Sequence, residues 1–273
     1  MNESPNDRLR RLLSLLDDDQ DRNVSAVMAE LLKNEAELPA LLAEMQESDD
    51  PCLRRRSHQL QAILLLRRRR RNFSRLLTAP TVDYQAMLIE LHLLWFDNDS
   101  RPVLARALQE LVKSSRERGV ENLFQLAGFM RNAGLVAEAD STVVPENYCL
   151  GTVLRDGRGA ASLLTLLAWT LLPRGQRFHP ARVLGDFAII DVKTGELLIP
   201  GHFWQLESAP KSGVVLFPPV RLLAFAALNL FSSAVNSDSY RYIWTLFQAI
   251  TGSENASDLA VLPYPYGGKD DNR

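Results

Sequence analysis

The sequence predicts an α+β protein that is predominantly helical, with a helical N-terminal half and a small antiparallel sheet further on. Three observations lead there. Over the first 140 residues apolar side chains recur at three- and four-residue spacing, the period of a helix with one buried face. After Pro173 the pattern shifts to short runs such as FAIIDVKTGELLI, which read as two strands around a Lys-Thr-Gly turn. Helical periodicity then returns in VRLLAFAALNLFSSAV and YRYIWTLFQAI.

RLRRLLSLL places Leu9, Leu12, Leu13 and Leu16 at helical spacing, and the acidic turn DDDQD follows. VSAVMAELL continues with Val24, Val27, Met28, Leu31 and Leu32 on one face. SDDPCLRRRSHQLQAILLL and WFDNDSRPVLARALQELV repeat the scheme of an acidic turn and an apolar helix. Aspartates at such turns are expected to cap the next helix, accepting its free N–H groups. A repeat of about 30 residues resembles HEAT-type helical packing, and an ordinary helical bundle is the alternative. GVENLFQLAGFMRNAGL reads as a further helix pair with Gly134 as a stop. EADSTVVPEN reads as a linker, YCLGTVLRD as a short helix, AASLLTLLAWTLL as a buried one and VVLFPP as a third extended piece. The expected organisation is a helical region 1–140, a second region 141–262 and a disordered tail 263–273.

Of the 273 residues 46% are apolar, enough to bury a sizeable core in one large domain or two small ones. The net charge of −2 argues against a general nucleic-acid binder. No apolar run reaches the roughly 18 residues of a membrane span, and MNESPNDRLRR lacks the apolar core of a signal peptide. A cytoplasmic protein is the expectation. Cys52 and Cys149 are too few for a disulfide framework or a cysteine-based metal site.

Between Pro51 and Val82 lie nine arginines and no acid, and five are consecutive: Arg67, Arg68, Arg69, Arg70 and Arg71. At 100° per residue five positions encircle a helix, so they cannot share one solvated face. The helix is therefore expected to project beyond the core there, or to end. The functional reading is a phosphate or nucleic-acid contact. The alternative is internal balance, because residues 1–50 hold 13 acids against 5 bases.

The chain has four histidines. His58 and His92 fall in helices, where a lone His is usually structural. His179 (RFHPAR) and His202 (IPGHFW) flank Asp191 (AIIDVKTG) in the strand-rich segment. Cys-His-Asp acyl transfer needs a thiolate at a helix N-terminus, a His to move the proton and an acid to orient that His. DGRGAASLLTLLAW supplies the helix N-terminus, but no Cys sits there.

NYCLGTVLRDGRGAASLLTLLAW resembles a segment of SirB-type transglutaminase-like proteins. Asn147, Leu150, Val153 and Leu154 match its first part. Gly157, Gly159, Ser162 and Leu163 approximate its second, with the glycines displaced by one position. LLSLLDDDQDRNVSAV resembles the family's helical leader, and ALNLFSSAVNSDSYRYIWTLFQAI its closing helix pair. The resemblance implies a degenerate transglutaminase-like, papain-like core, with the nucleophile's position taken by Ala160. It also implies Asp191 as the acid equivalent and His179 as the base. IPGHFW looks more like the family's Pro-x-His-Phe signature, which would make His202 the base instead; the two registers exclude each other.

The implied function is a non-catalytic protein that binds an as yet unidentified protein partner. Residual hydrolase or acyl-transferase activity through Ser162 or Cys149 with His179 or His202 is the alternative. Anion or nucleic-acid binding through Arg67 to Arg71 is the second. Glu196 or Glu207 with His202 lacks the spacing of a metal site. No metal and no cofactor is expected.

Overall fold

The structure is a computed structural model that describes residues 5–17, 20–79, 81–138 and 144–253. The chain divides into two compact units, Met1–Arg68 and Arg69–Arg273, and the division falls inside one long helix. The sequence placed the boundary at residue 140 instead. The helices that follow residue 80 share one apolar core with residues as far along as 250, so they belong with the second unit. The expected tail 263–273 and residues 139–143 of the expected linker lie outside the described residues.

The first unit comprises α1 (Pro5–Ser14), a 3₁₀ turn (Leu15–Asp17), α2 (Asp21–Leu31), α3 (Leu38–Met45) and the start of α4 (Pro51–Thr78). Leu9, Leu13 and Leu16 meet Val24, Met28 and Leu31 in its core, with Leu38, Leu42 and Leu60. These are the positions that helical spacing marks. Asp50 Oδ1 accepts the Cys52 N–H at 2.7 Å and so caps α4.

In the second unit α5 (Tyr84–Trp95) starts at Asp83, whose carboxylate accepts the Gln85 and Ala86 N–H groups at 3.1 Å. The acidic turn before α6 (Arg101–Glu117) behaves differently. Ser100 is the N-cap and makes no side-chain cap bond; Asp97 pairs with Arg241 and Asp99 with His92. α7 (Leu123–Asn132) is one helix rather than a pair. It is capped by Asn122 and stopped by Gly134 at φ +69°.

A parallel pair, β1 (Val136–Glu138) and β2 (Arg158–Ala160), brackets α8 (Leu150–Asp156) and leads into α9 (Ala161–Leu171). Then come β3 (Phe178–Val183), β4 (Asp186–Asp191), β5 (Glu196–Ile199), β6 (Gln205–Ser208) and β7 (Val214–Leu216). They form an antiparallel sheet in the order β6-β5-β4-β3-β7. Sequence reading found β4, β5 and β7. It missed β3 because Pro180 sits inside it. The sheet tolerates that proline because β7 pairs only with 181–183, where β3 becomes a central strand.

Alternation gives the sheet two distinct faces. Phe178, Phe187, Ile189 and Leu198 join the main core with α9. Ala181, Val183, Ala188, Ile190, Leu197 and Ile199 form a separate cluster on the other face. β6 and β7 lie at opposite edges, roughly 19 Å apart on a flat sheet. Residues 209–213 must cross that width, and Ala209 and Val214 pack on the second cluster.

α10 (Pro219–Asn236) and α11 (Tyr240–Thr251) close the unit. α10 is long and apolar enough to cross a membrane by length and composition, which the sequence reading did not anticipate. Leu222, Leu223, Ala226, Ala227, Leu230 and Ala234 form the stripe that it buries in the core.

The turn from α8 into β2 depends on Gly157, at φ +73°. A Cβ there would lie 2.6 Å from the Gly134 carbonyl oxygen. Gly157→Ala is expected to lower stability by about 2 kcal/mol, from left-handed strain and the clash together. A denaturant titration with unchanged m-value checks it.

Candidate site at the head of helix α9

The glycine-rich turn before α9 is a packing device. At Gly159 a Cβ would meet Val153 Cγ2 at 2.8 Å, and Gly157 has no room for one either. The two glycines let α8, β2 and α9 approach closely; they do not open the helix end to solvent. Ala160 caps α9 in extended conformation, 2% exposed, paired in β register with Glu138. Ser162 is equally buried, and its Oγ has no hydrogen-bond partner. No base lies within bonding reach of that hydroxyl, so nothing activates it.

Cys149 is fully buried, and its thiol donates to the Pro145 carbonyl at 3.8 Å. Burial pushes the thiol up, and the charges of Glu146 and Asp99 add to this. A thiolate is disfavoured there, which removes the nucleophile.

The two members of the preferred register, His179 and Asp191, do not meet. Phe178 pairs with Asp191 across β3 and β4, and His179 with Ile190. By alternation Asp191 projects toward α9 and His179 toward the opposite face. His179 Nε2 instead bonds the Gln176 carbonyl at 2.8 Å. The carboxylate of Asp191 takes two bonds from Arg177, at 2.6 and 2.9 Å, and the Lys193 N–H at 3.0 Å. Those arginine bonds hold its carboxyl below the usual range. Asp191 therefore builds the Lys-Thr-Gly turn, whose Gly195 N–H returns to its own carbonyl.

Position along α9 separates them further from Ala160. Trp169 Nε1 donates to the Phe178 carbonyl at 2.9 Å. This fixes the start of β3, and with it Asp191, beside the last turn of α9. Ala160 lies nine residues back, about 13 Å along the axis at 1.5 Å per residue.

The other register fares differently. The turn Pro200–His202 packs on β1 and on α9, and Trp204 Nε1 bonds the Leu135 carbonyl just before β1. His202 thus belongs to the end of the sheet near Ala160. Its partner acid is Glu207 on β6, with Nδ1 to Oε1 at 2.7 Å, and Asp186 lies 3.5 Å from Nε2. Sequence reading weighed Glu207 only as a metal ligand and passed over Asp186. Both carboxylates project from the face opposite α9, so they hold the ring away from the helix. The Glu207 bond raises the imidazole above its ordinary value of 6.5, and the Asp186 charge adds to it.

His92 is the most enclosed of the three histidines in this unit. Gly151 N–H donates to Nδ1 at 3.3 Å, so Nε2 carries the proton and donates to Asp99 at 2.8 Å. Burial lowers its pKa against the opposing pull of Asp99. A Cβ on Gly151 would come within 2.7 Å of its ring. With both nitrogens engaged, His92 clamps α8 to α5 and has no free position for proton transfer.

The arginine run does not form one binding surface. α4 continues through it to Thr78, so the helix does not end there; the run lies between Leu64, the last α4 residue of the first unit's core, and Phe73, the first of the second unit's. Arg67 bonds Glu35 at 2.7 Å and the Leu32 carbonyl at 3.2 Å within the first unit. Arg68 is exposed. Arg69 is buried and donates to the carbonyls of Leu93 and Asp97, at 3.3 and 2.5 Å, serving acceptors at the end of α5. Arg70 and Arg71 line a small cavity with Ser74, Arg75 and Gln248. Internal balance is the reading these contacts favour.

Sequence reading also passed over Glu90, which is buried against Arg101 at 2.9 Å and raised by that burial. Among the described residues no group of His, Cys, Asp and Glu is placed to hold a metal ion. No family model, no curated protein and no solved structure matches the chain.

Two measurements check these assignments. In an NMR titration His202 is expected to show a midpoint above 6.5, and Glu207→Gln to bring it back toward 6.5. Because the folded value is raised, the stability this pair adds is present below pH 6.5 and lost as pH rises through the folded midpoint. In chemical denaturation Arg69→Ala is expected to cost about 2 kcal/mol by orphaning two carbonyls, and Arg68→Ala less than about 0.5 kcal/mol.

Proposed function

We propose that the chain is a non-catalytic, transglutaminase-like protein that works by binding a protein partner. One observation carries this reading: the residue at the place of the nucleophile is Ala160, a buried methyl, and the hydrogen bonds of His92, His179 and His202 direct none of them toward it. Buried Ser162 and the pushed-up thiol of Cys149 support it, since neither can replace a thiolate at the helix head. The order of a buried helix, antiparallel strands and a closing helix pair supports the proposed SirB-type ancestry. The run of consecutive helices α1 to α6 supports the HEAT-like reading of the helical part.

Purified protein incubated with p-nitrophenyl acetate, and separately with a glutamine-amide substrate and an amine acceptor, tests the proposal. The expected result is no turnover above the uncatalysed rate. Turnover that disappears in His202→Ala or His179→Ala would overturn it.

A further inference from the structure

Several polar side chains with unused bonding capacity lie at the other end of α9, away from Ala160. A cavity of about 260 Å³ is lined by Val82, Tyr84, Gln85, Trp169 and Arg174. A second, of about 420 Å³, shares Gln85, Thr170 and residues 172–174 with it and adds Arg116 and Glu121. The two share walls and form one groove around the chain that leaves α9.

Its apolar end is rigid. The Trp169 indole is held by its bond to the Phe178 carbonyl. The Tyr84 ring meets it edge to face at 5.1 Å and 87°, an arrangement that aromatic rings favour. Around the groove the Tyr84 hydroxyl and the guanidinium groups of Arg116 and Arg174 make no hydrogen bond or ion pair among the described residues. The Gln85 amide makes none either. The one carboxylate in the lining, Glu121, pairs with neither arginine. Of the other arginines on or beside α6, Arg118 lies over Phe129 and Arg101 pairs with Glu90, while Arg106 is exposed and lies outside the groove lining.

An apolar aromatic wall beside two uncommitted guanidinium groups is complementary to one kind of ligand. Arginine presents a planar fork that bonds oxyanions in pairs, and a flat ring fits against Trp169 and Tyr84. We infer that this groove binds a small aromatic compound carrying a carboxylate or phosphate. The ring packs on Val82, Tyr84 and Trp169 in the first cavity, and the oxyanion takes donors from Arg174, which with Gln85 lines both cavities, and from Arg116 in the second. The inference is independent of whether the head of α9 is catalytic, because it concerns the opposite end of that helix.

Calorimetric titration of the full chain with phenyl phosphate tests it, with phenol and inorganic phosphate as the separated halves. Phenyl phosphate is expected to bind with a Kd on the order of 1 mM or tighter, and each half more weakly than the whole. Arg174→Ala and Arg116→Ala should each weaken it roughly tenfold, the loss of one charge-assisted bond. Arg131→Ala, on α7 and outside the groove lining, should leave it unchanged. Arg174→Gln and Arg116→Gln keep the stem packing and should show the same loss, should an alanine variant misfold. Absence of saturable binding to the wild-type chain would overturn the inference. So would binding that survives both arginine substitutions, or inorganic phosphate binding as tightly as phenyl phosphate.

Discussion

The hydrogen bond from the Trp169 indole to the Phe178 carbonyl fixes what the rest of the second unit can do. It ties the first residue of β3 to the last turn of α9. Antiparallel pairing then carries the constraint to Asp191 and on to Glu196. Every residue at that end of the sheet is remote from the head of the helix. The opposite end, with Asp186 and the Pro200–His202 turn, is the only part of the sheet that can approach Ala160. Alternation puts the Asp186 and Glu207 carboxylates on the far face, and they hold the His202 imidazole there. Connectivity alone would have allowed a triad; the helix-to-sheet register sets His179 and Asp191 beside the other end of α9, and His202 bonds Glu207 instead.

Several charged residues of the second unit act as internal supports. Arg69 serves the carbonyls at the end of α5, His92 holds the start of α8 against α5, and Asp97 joins Arg241 of α11 to the α5–α6 turn. A buried donor or acceptor without a partner is costly, so such groups resist substitution whether or not they have a chemical role. This is why a histidine beside an aspartate can resemble a catalytic pair and be structural. In His92 the second nitrogen is occupied by a backbone N–H, and that contact is invisible in the sequence.

The helices were legible because their apolar spacing is regular, as in Leu9, Leu13 and Leu16, and in the Leu222 to Ala234 stripe of α10. β4 and β5 were legible because a Lys-Thr-Gly turn separates two apolar runs. β3 was hidden by Pro180. β1 (VAE), β2 (RGA) and β6 (QLES) were hidden because each is three or four residues long and lacks the apolar run that marks the equally short β5 (ELLI) and β7 (VVL). At the candidate site the sequence located the helix head and Ala160. It could not choose between His179 and His202, since that choice rests on which end of α9 each strand reaches. Nor could it show that Gly157 and Gly159 are required by crowding from Gly134 and Val153, a contact between segments more than twenty residues apart in the first case. The arginine run looked like one surface because it is contiguous in sequence; a helix distributes it around its axis.

The central claim is that no imidazole is directed at the head of α9. It is tested most directly by placing a thiol there, in Ala160→Cys, and measuring its alkylation rate by iodoacetamide against pH. The account predicts slow alkylation that rises only at or above the ordinary thiol range near pH 8.5, unchanged by His202→Ala. Rapid alkylation with a midpoint below about pH 7, abolished by His202→Ala, would mean that an imidazole reaches the helix head, and would contradict it.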